Sequence, residues 1–242
     1  AAPCVVAALA LQLPEHGNGT RPRAGRQCVG GKSCVAKFAE KAERLPLGVH
    51  GTPTFLAVVT HPGRGPQECA DAVAKDYGKI DIFVHSLANG PEVAKPLLET
   101  SRTGYIAAMS ASSYSLISCV QRFAPIMNEG GSFLSLGFIA ANLVVPGYGG
   151  GMSSAKAQLE SDTRVLAWEA GRNFGVRVNC ISAGPVNTLA ARGIAGFSDM
   201  LKHYDEHAPL RRNVTHEELG QTGVFLASDG GAAITGQVIY VD

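Results

Sequence analysis

Residues 80–88 read IDIFVHSLA, and residues 176–182 read VRVNCIS. Both runs are rich in β-branched and aromatic residues and lead directly into loops, which is typical of buried strands. A similar run, SFLSLGF, occupies residues 132–138, and a last one, QVIYV, occupies residues 237–241. Short apolar runs that alternate with longer amphipathic segments predict a parallel sheet covered by helices.

The segments between these runs have helical patterns. Residues 101–127 form one long helical stretch that we expect to end at the sequence NEGG. Residues 156–175 repeat apolar side chains at helical spacing, and Gly175 stands where a helix C-cap belongs. A further helix is predicted around residues 217–227. This order predicts a Rossmann-type, doubly wound α/β fold over residues 67–242, as one half of such a fold or more.

Composition excludes several classes of function. The chain has 242 residues, of which 45% are hydrophobic, enough for one large domain or at most two small ones. Its formal net charge of +1 shows no basic excess for nucleic acid or an anionic membrane. Six cysteines without a CxxC pair indicate reduced thiols and no metal site, and no apolar run is long enough for membrane insertion.

Loops that follow parallel strands meet at the carboxyl edge of the sheet, where ligands bind. One of them contains GYGGGMSSAK, residues 147–156, which sets Tyr148 eight residues before Lys156. A lysine ammonium near a tyrosine favours the phenolate and strengthens the hydroxyl as a hydrogen-bond donor, so the pair suits the stabilisation of an oxyanion. Taken alone, the pair is explained equally simply by a packed tyrosine and a solvated lysine.

Several blocks together carry a family resemblance: HSLANGPEV, AKPLLETSR, PGYGGGMSSAKAQLESDTRVLAWEAGR, VRVNCISAGPVNTLAARGI and AITGQVIYVD. They resemble the NADH-dependent enoyl-acyl-carrier-protein reductases, a branch of the short-chain dehydrogenase/reductases, over about residues 68–242. Within that family the sequence is similar to the plastid type of plants and apicomplexan parasites. The resemblance implies reduction of trans-2-enoyl thioesters, held on acyl carrier protein, in fatty-acid biosynthesis.

The resemblance also implies site roles. Tyr148 would bind the thioester carbonyl, and Lys156 would hold the nicotinamide ribose and support the tyrosine. Other cofactor-binding residues would be Ser86, Leu87, Ala88, Asn89, Leu136, Ala183, Gly184, Pro185, Val186 and Thr188. The acyl pocket would be formed by Phe138, Met152, Ala190, Ala191 and Ile194, with about residues 189–204 as its mobile lid. Family members are usually homotetramers built through two long helices, here at about residues 101–127 and 153–173. Contact points would be residues such as Tyr114, Leu116 and Trp168, which core packing explains equally well.

Three features near the pair complete the prediction. Phe138 and Gly137 stand where the plastid pattern usually has tyrosine and threonine. The three glycines after Tyr148 are expected to leave room for the nicotinamide and the thioester, with Ser153 or Ser154 starting the helix. Two alternatives stay open: a short-chain dehydrogenase acting on ketones or alcohols, whose tyrosine and lysine are normally four residues apart, and a non-catalytic relative without a complete NADH site.

The first 66 residues do not show the expected glycine-rich βαβ unit. HGNGTRPRAG and VGGKSCVAKF are weak candidates for its turn, whereas TPTFLAVVT is a possible strand and QECADAVAKDYG its following helix. Residues 16–39 contain five basic residues and no acidic one, after an apolar start. A leader-like segment with a plastid transit peptide is therefore one interpretation, and a divergent folded unit is the other. Plastid localisation is expected by resemblance, and the cytoplasm if the protein is bacterial.

Overall fold

The structure, a computed structural model, describes residues 55–58, 66–188, 191 and 196–242. In this part of the chain one sheet has five strands: β1 (Phe55–Val58), β2 (Ile80–His85), β3 (Met127–Gly137), β4 (Arg177–Ala183) and β5 (Val238–Val241). The strands lie in chain order and every neighbouring pair is parallel. Parallel neighbours require crossover connections, which here contain the helices. The predicted Rossmann-type α/β fold is confirmed.

Six α-helices are described: α1 (Pro66–Tyr77), α2 (Arg102–Met109), α3 (Ser115–Phe123), α4 (Met152–Phe174), α5 (Phe197–His207) and α6 (His216–Ala227). A π-helical turn, Ser110–Tyr114, joins α2 to α3. The long helix predicted from residue 101 therefore exists, but it is interrupted by this turn. Its predicted end was wrong, because NEGG belongs to β3, where Gly130 has a φ of 82° and the pairing with β2 is irregular.

Hydrophobic side chains cover both faces of the sheet. On one face, Phe83 of β2 packs against Phe133 and Phe123, with ring centroids 5.0 and 4.7 Å apart, and α1, α3 and α4 cover this cluster. On the other face, the neighbouring residues Ile82 and Val84 belong to a second cluster, which α6 covers. Successive strand residues point to opposite faces, so both faces are buried, as a doubly wound fold requires.

The last crossover connection differs from the others in its handedness. The connections from β1 to β4 place α1, α3 and α4 on one face, whereas α6, between β4 and β5, lies on the opposite face. The strand order nevertheless continues in the same direction. The final connection therefore has the opposite hand to the preceding three, an exception to the strong preference for right-handed crossovers.

The remaining predictions concern the start of the chain. A strand within TPTFLAVVT and the helix after it are confirmed as β1 and α1. The two candidate glycine-rich turns, HGNGTRPRAG and VGGKSCVAKF, lie outside the described residues. The division of the chain after residue 66 stays a prediction for the same reason.

Candidate active site

Three neighbouring strands end at one edge of the sheet. Their last residues are His85 of β2, Gly137 of β3 and Ala183 of β4. Because β2 pairs with β3 and β3 with β4, all in parallel, the loops that follow these residues lie side by side. The three loops therefore begin side by side at the carboxyl edge, where ligand binding was predicted.

Tyr148 and Lys156 converge on the end of β3. Lys156, in the first turns of α4, donates from Nζ to the carbonyl oxygen of Leu136 at 2.7 Å. The ring of Tyr148 meets the ring of Phe138 edge-on, with centroids 5.0 Å apart and an interplanar angle of 64°. Leu136 and Phe138 flank Gly137, so the two predicted catalytic side chains reach the same three-residue stretch.

The protonation of Tyr148 differs from the sequence prediction. Burial raises the pKa of its hydroxyl above the ordinary value of 10.0. The expected effect of a nearby lysine, which favours the phenolate, does not contribute to this shift, and the ammonium of Lys156 donates to the Leu136 carbonyl. In the part of the chain that the structure describes, the Tyr148 hydroxyl has no hydrogen-bond partner. It is a neutral donor that is free to bind a ligand.

Lys156 lies in a buried polar environment. The residue is 6% exposed, and burial lowers its pKa, while the charge of Glu160 acts in the opposite direction. Glu160, one helical turn further along α4, accepts a hydrogen bond from Nδ2 of Asn142 at 3.1 Å. Asn142 also donates to the hydroxyl of Tyr240 at 2.8 Å. Sequence reasoning missed Glu160, although its spacing of four from Lys156 was a usable signal.

His85, the last residue of β2, is buried at the same edge of the sheet. Its Nε2 lies 2.8 Å from Oγ of Ser115, which itself donates to the carbonyl of Ala111 at 2.9 Å. The serine proton is therefore engaged, so the imidazole carries its proton on Nε2. Burial, and secondarily the charge of Lys156, lowers the pKa of His85 to about 3. The histidine is consequently neutral at physiological pH.

The predicted cofactor residues occupy two loops. After β2, Ser86 is half-buried and Ala88 and Asn89 are exposed, whereas Leu87 is part of the hydrophobic core. Leu136, on β3, packs partly buried against the α6-side cluster.

The loop after β4 carries the second group. Ala183 and Val186 pack against the same cluster. Gly184 donates its N–H to the carbonyl of Val241 at 2.8 Å, and the following Pro185 is buried. Thr188 accepts a hydrogen bond at Oγ1 from the N–H of Ala191 at 3.1 Å. Two predicted pocket residues, Ala190 and Ile194, lie outside the described residues.

The three glycines after Tyr148 have a different role from the one predicted. Gly149 and Gly150 donate their N–H groups to the carbonyls of Val93 and Lys95, both at 3.0 Å. A Cβ at Gly149 would overlap the Lys95 carbonyl oxygen, and one at Gly151 would lie 2.6 Å from the ring of Tyr105. Gly149 and Gly150 therefore make room for the 92–95 segment of this chain and Gly151 for the ring of Tyr105, and the prediction that the glycines make room for ligands was wrong.

The start of α4 also differs from the prediction. The helix begins at Met152, and Gly151, with a φ of 81°, occupies the N-cap position. Neither Ser153 nor Ser154 caps the helix; Oγ of Ser153 donates to the carbonyl of Tyr148 at 3.2 Å and ties the loop to the helix. Met152 is 4% exposed and fills the space beside Gly90, where a Cβ would lie 2.6 Å from it.

The described residues contain no group of three His, Cys, Asp or Glu side chains arranged to hold a metal ion. None of the described helices is both long and apolar enough to cross a membrane. The three described cysteines, Cys69, Cys119 and Cys180, are buried and form no disulfide.

A parallel sheet buried on both faces, with a tyrosine and a lysine at the carboxyl end of its middle strand, defines a Rossmann-type α/β protein with a candidate oxyanion site. The model of the enoyl-(acyl carrier protein) reductase family matches residues 59–242. The chain belongs to this family.

Individual relatives are consistent with this assignment. The chain is 58% identical over 176 residues to a chloroplastic NADH enoyl-[acyl-carrier-protein] reductase of Arabidopsis thaliana, which covers 73% of this chain and 45% of the relative. It is 43% identical over 208 residues to an NADH enoyl-[acyl-carrier-protein] reductase of Nostoc sp., covering 85% of this chain and 80% of the relative. The chain spans about half the length of the plant relatives it matches.

A solved structure shows the same architecture. The enoyl-acyl-carrier-protein reductase of Plasmodium berghei, crystallised with triclosan, superposes with a TM-score of 0.72 at 51% sequence identity. The match covers 74% of this chain and 63% of that one.

Proposed function

We propose that this chain reduces trans-2-enoyl thioesters, held on acyl carrier protein, with NADH in fatty-acid biosynthesis. The observation that carries the proposal is the convergence of a neutral Tyr148 hydroxyl, without a hydrogen-bond partner among the described residues, and a buried Lys156 at the end of β3. The names of the relatives support the same reaction, substrate carrier and cofactor.

The chemistry assigned to Tyr148 follows from its environment. Reduction at the β-carbon of an enoyl thioester places negative charge on the thioester oxygen. A donor that is already desolvated stabilises this charge strongly, because little water competes for it. Burial raises the pKa of Tyr148, so the hydroxyl keeps its proton across the neutral range and acts as a hydrogen-bond or proton donor to the enolate.

The described residues fit the nicotinamide half of the cofactor. Nζ of Lys156 uses one of its three protons on Leu136, which leaves two for the ribose hydroxyls. The exposed Ala88 and Asn89 would lie on one side of the cofactor, and residues 183–188 would hold its carboxamide and pyrophosphate. When bound, NADH supplies the hydride. The two candidate glycine-rich turns, HGNGTRPRAG and VGGKSCVAKF, lie outside the described residues.

The acyl chain would occupy a pocket beside Tyr148. Phe138 contacts Tyr148 directly, and Met152 closes the space behind the loop after β2. The prediction that Ala190, Ala191 and Ile194 complete this wall, below a lid at residues 189–204, is retained as part of the proposal.

The proposal includes a homotetramer and a plastid location. Tyr114 and Trp168 are 52% and 62% exposed on the helices predicted to form the subunit contacts. Arg172 stacks its guanidinium over the Trp168 ring at 4.8 Å, so this surface is apolar with a charged edge. Leu116 was a wrong choice, because it is fully buried in the core of the same chain. The chloroplastic names of the plant relatives support the plastid.

The proposed function is tested by NADH binding and substrate choice. We expect saturable enhancement of NADH fluorescence and oxidation of NADH with crotonyl-CoA but not with simple ketones. Reduction of ketones instead would indicate a short-chain dehydrogenase of another specificity, and absence of NADH binding would indicate a non-catalytic relative.

Substitution of Tyr148 tests the mechanism itself. Tyr148→Phe removes only the hydroxyl, and we expect the rate with crotonyl-CoA to fall by about a hundredfold or more, the usual contribution of an oxyanion donor. The affinity for NADH should stay unchanged. An undiminished rate in this variant would refute the role of Tyr148.

A further inference from the structure

The π-helical turn between α2 and α3 contains two buried serines. Ser112 and Ser113 are adjacent and both are 0% exposed. A π-helical turn inserts one residue into a helix and changes the direction of the side chains around it, and such turns often occur at functional sites. Here the two hydroxyls bind in different directions.

Ser113 bonds within its own helix. Its Oγ donates to the carbonyl of Met109 at 2.9 Å. This bond satisfies a helical carbonyl and involves no other part of the fold. Ser113 is therefore a structural neighbour of Ser112 that makes no contact with the crevice loops through its hydroxyl.

Ser112 bonds outside the helix. Its Oγ accepts the N–H of Asn89 at 3.0 Å and donates to the carbonyl of the same residue at 3.2 Å. One hydroxyl thus engages both backbone polar groups of a residue that is 23 positions away. The side chain of Asn89 is exposed, so its backbone is the part that is held in place.

The same hydroxyl also reaches the start of α4. Oγ of Ser112 lies 3.7 Å from Sδ of Met152, which is buried beside Gly90. Ser112 therefore joins three segments: the loop after β2, the π-helical turn and the first residue of α4. Two of them carry residues of the proposed cofactor and acyl sites.

We propose that Ser112 is a positioning residue that fixes the backbone of residues 86–90 in the conformation that binds NADH. The inference rests on the proposed function, because Asn89 and Met152 belong to the sites proposed there. Ser112 itself is fully buried and acts through the loop. Without the Ser112 hydroxyl, the N–H and the carbonyl of Asn89 lose their common hydrogen-bond partner. The loop must then become ordered when NADH binds, and this cost lowers the affinity for NADH.

The test compares Ser112→Ala with Ser113→Ala in the full 242-residue chain. Each substitution removes one buried hydroxyl from the same turn, so a general effect on folding should be similar in both. We expect Ser112→Ala alone to raise the Kd for NADH about tenfold, measured by fluorescence titration. Hydrogen exchange of the Asn89 amide, measured without cofactor, should accelerate by a similar factor in Ser112→Ala and stay unchanged in Ser113→Ala.

Equal NADH affinity and equal Asn89 exchange in the two variants would overturn the proposal. If Ser112→Ala does not fold, Ser112→Cys keeps nearly the same shape with a weaker hydrogen-bonding group, and the same two measurements apply. If the unsubstituted chain binds no NADH, the proposed function fails. The exchange comparison needs no cofactor and decides separately whether Ser112 holds the loop.

Discussion

The substitution Asn142→Ala tests how much a side-chain hydrogen bond stabilises Glu160, the buried carboxylate four residues after Lys156. Asn142 is exposed, yet its Nδ2 donates to Glu160 at 3.1 Å and to the Tyr240 hydroxyl at 2.8 Å. The other carboxylate oxygen of Glu160, Oε1, is buried without a hydrogen-bond partner among the described residues. Asn142→Ala would therefore leave the whole carboxylate without the hydrogen bonds that the structure shows for it.

The magnitude follows from the burial of Glu160. A hydrogen bond to a charged group contributes about 1.5–3 kcal/mol, and a neutral one about 0.5–1.5 kcal/mol. Glu160 is 5% exposed, so water cannot easily replace the lost donor and the upper part of the range applies. We expect Asn142→Ala to lower the free energy of unfolding by about 3 kcal/mol. Tyr240→Phe, a matched control that removes only the neutral bond, should lower it by about 1 kcal/mol.

The assay is urea denaturation of the two variants and the unsubstituted chain, followed by far-ultraviolet circular dichroism at neutral pH. The midpoint should shift while the slope stays constant, since the surface exposed on unfolding is unchanged. If Asn142→Ala is no less stable than Tyr240→Phe, the hydrogen bond from Asn142 to Glu160 contributes nothing to stability.

Three further outcomes are expected. Gly149→Ala should lower the free energy of unfolding by about 3 kcal/mol, because the added Cβ would overlap the Lys95 carbonyl. Gly78→Ala, at a position with a φ of 73° and nothing within 4 Å of the added Cβ, should lower it by only about 1 kcal/mol. Equal losses of stability in urea denaturation would contradict the overlap at Gly149. The folded state holds His85 neutral, with its pKa lowered from 6.5 to about 3, so the contribution of His85 to the free energy of unfolding is fully present above pH 6.5 and is lost as the pH falls towards 3. In His85→Gln the number of protons taken up on unfolding in this pH range should fall by up to one. An unchanged pH dependence of stability would show that the imidazole is not buried. Trp168→Ser should raise the subunit dissociation constant about thirtyfold and so shift sedimentation towards smaller species. Val144→Ser, at a position that is 94% exposed, should leave sedimentation unchanged. Unchanged sedimentation of the Trp168→Ser variant would argue against the α4 surface around Trp168 as the subunit contact.

The positions of Tyr148 and Lys156 at one sheet edge were predictable because their signals are local. Tyr148 and Lys156 lie within ten residues of each other, and the strand before them is a recognisable apolar run. Chain order places the end of that strand at the ligand-binding edge. The contacts of the pair with Leu136 and Phe138 then follow from the parallel crossover, in which α4 returns over the strand it leaves.

The partners that hold the site were not predictable in this way. Asn142 reaches Tyr240 across 98 positions, and Ser112 reaches Asn89 across 23. Polar residues of these types occur throughout the chain, and no local pattern distinguishes the ones that meet. The spacing of Lys156 and Glu160 was the exception, because four residues on a helix bring side chains to the same face.

The glycines after Tyr148 show the same limit. Three consecutive glycines beside a helix are conformationally costly, so the sequence alone indicates that residues without side chains are needed at 149–151. It does not identify what approaches them. At Gly149 and Gly150 the approaching group is the backbone of residues 92–95, more than 50 positions earlier, and at Gly151 it is the ring of Tyr105. These contacts became visible only when the segments were placed together.

Local periodicity in the sequence determined the strands, the helices and the edge at which they present Tyr148 and Lys156. The direction of the tyrosine's pKa shift was decided by the tertiary structure. Tyr148 is half-buried and desolvation raises its pKa, whereas the lysine charge that the spacing led us to expect does not contribute to the shift. Desolvation depends on every atom that surrounds a group, and those atoms come from segments that are distant in the chain.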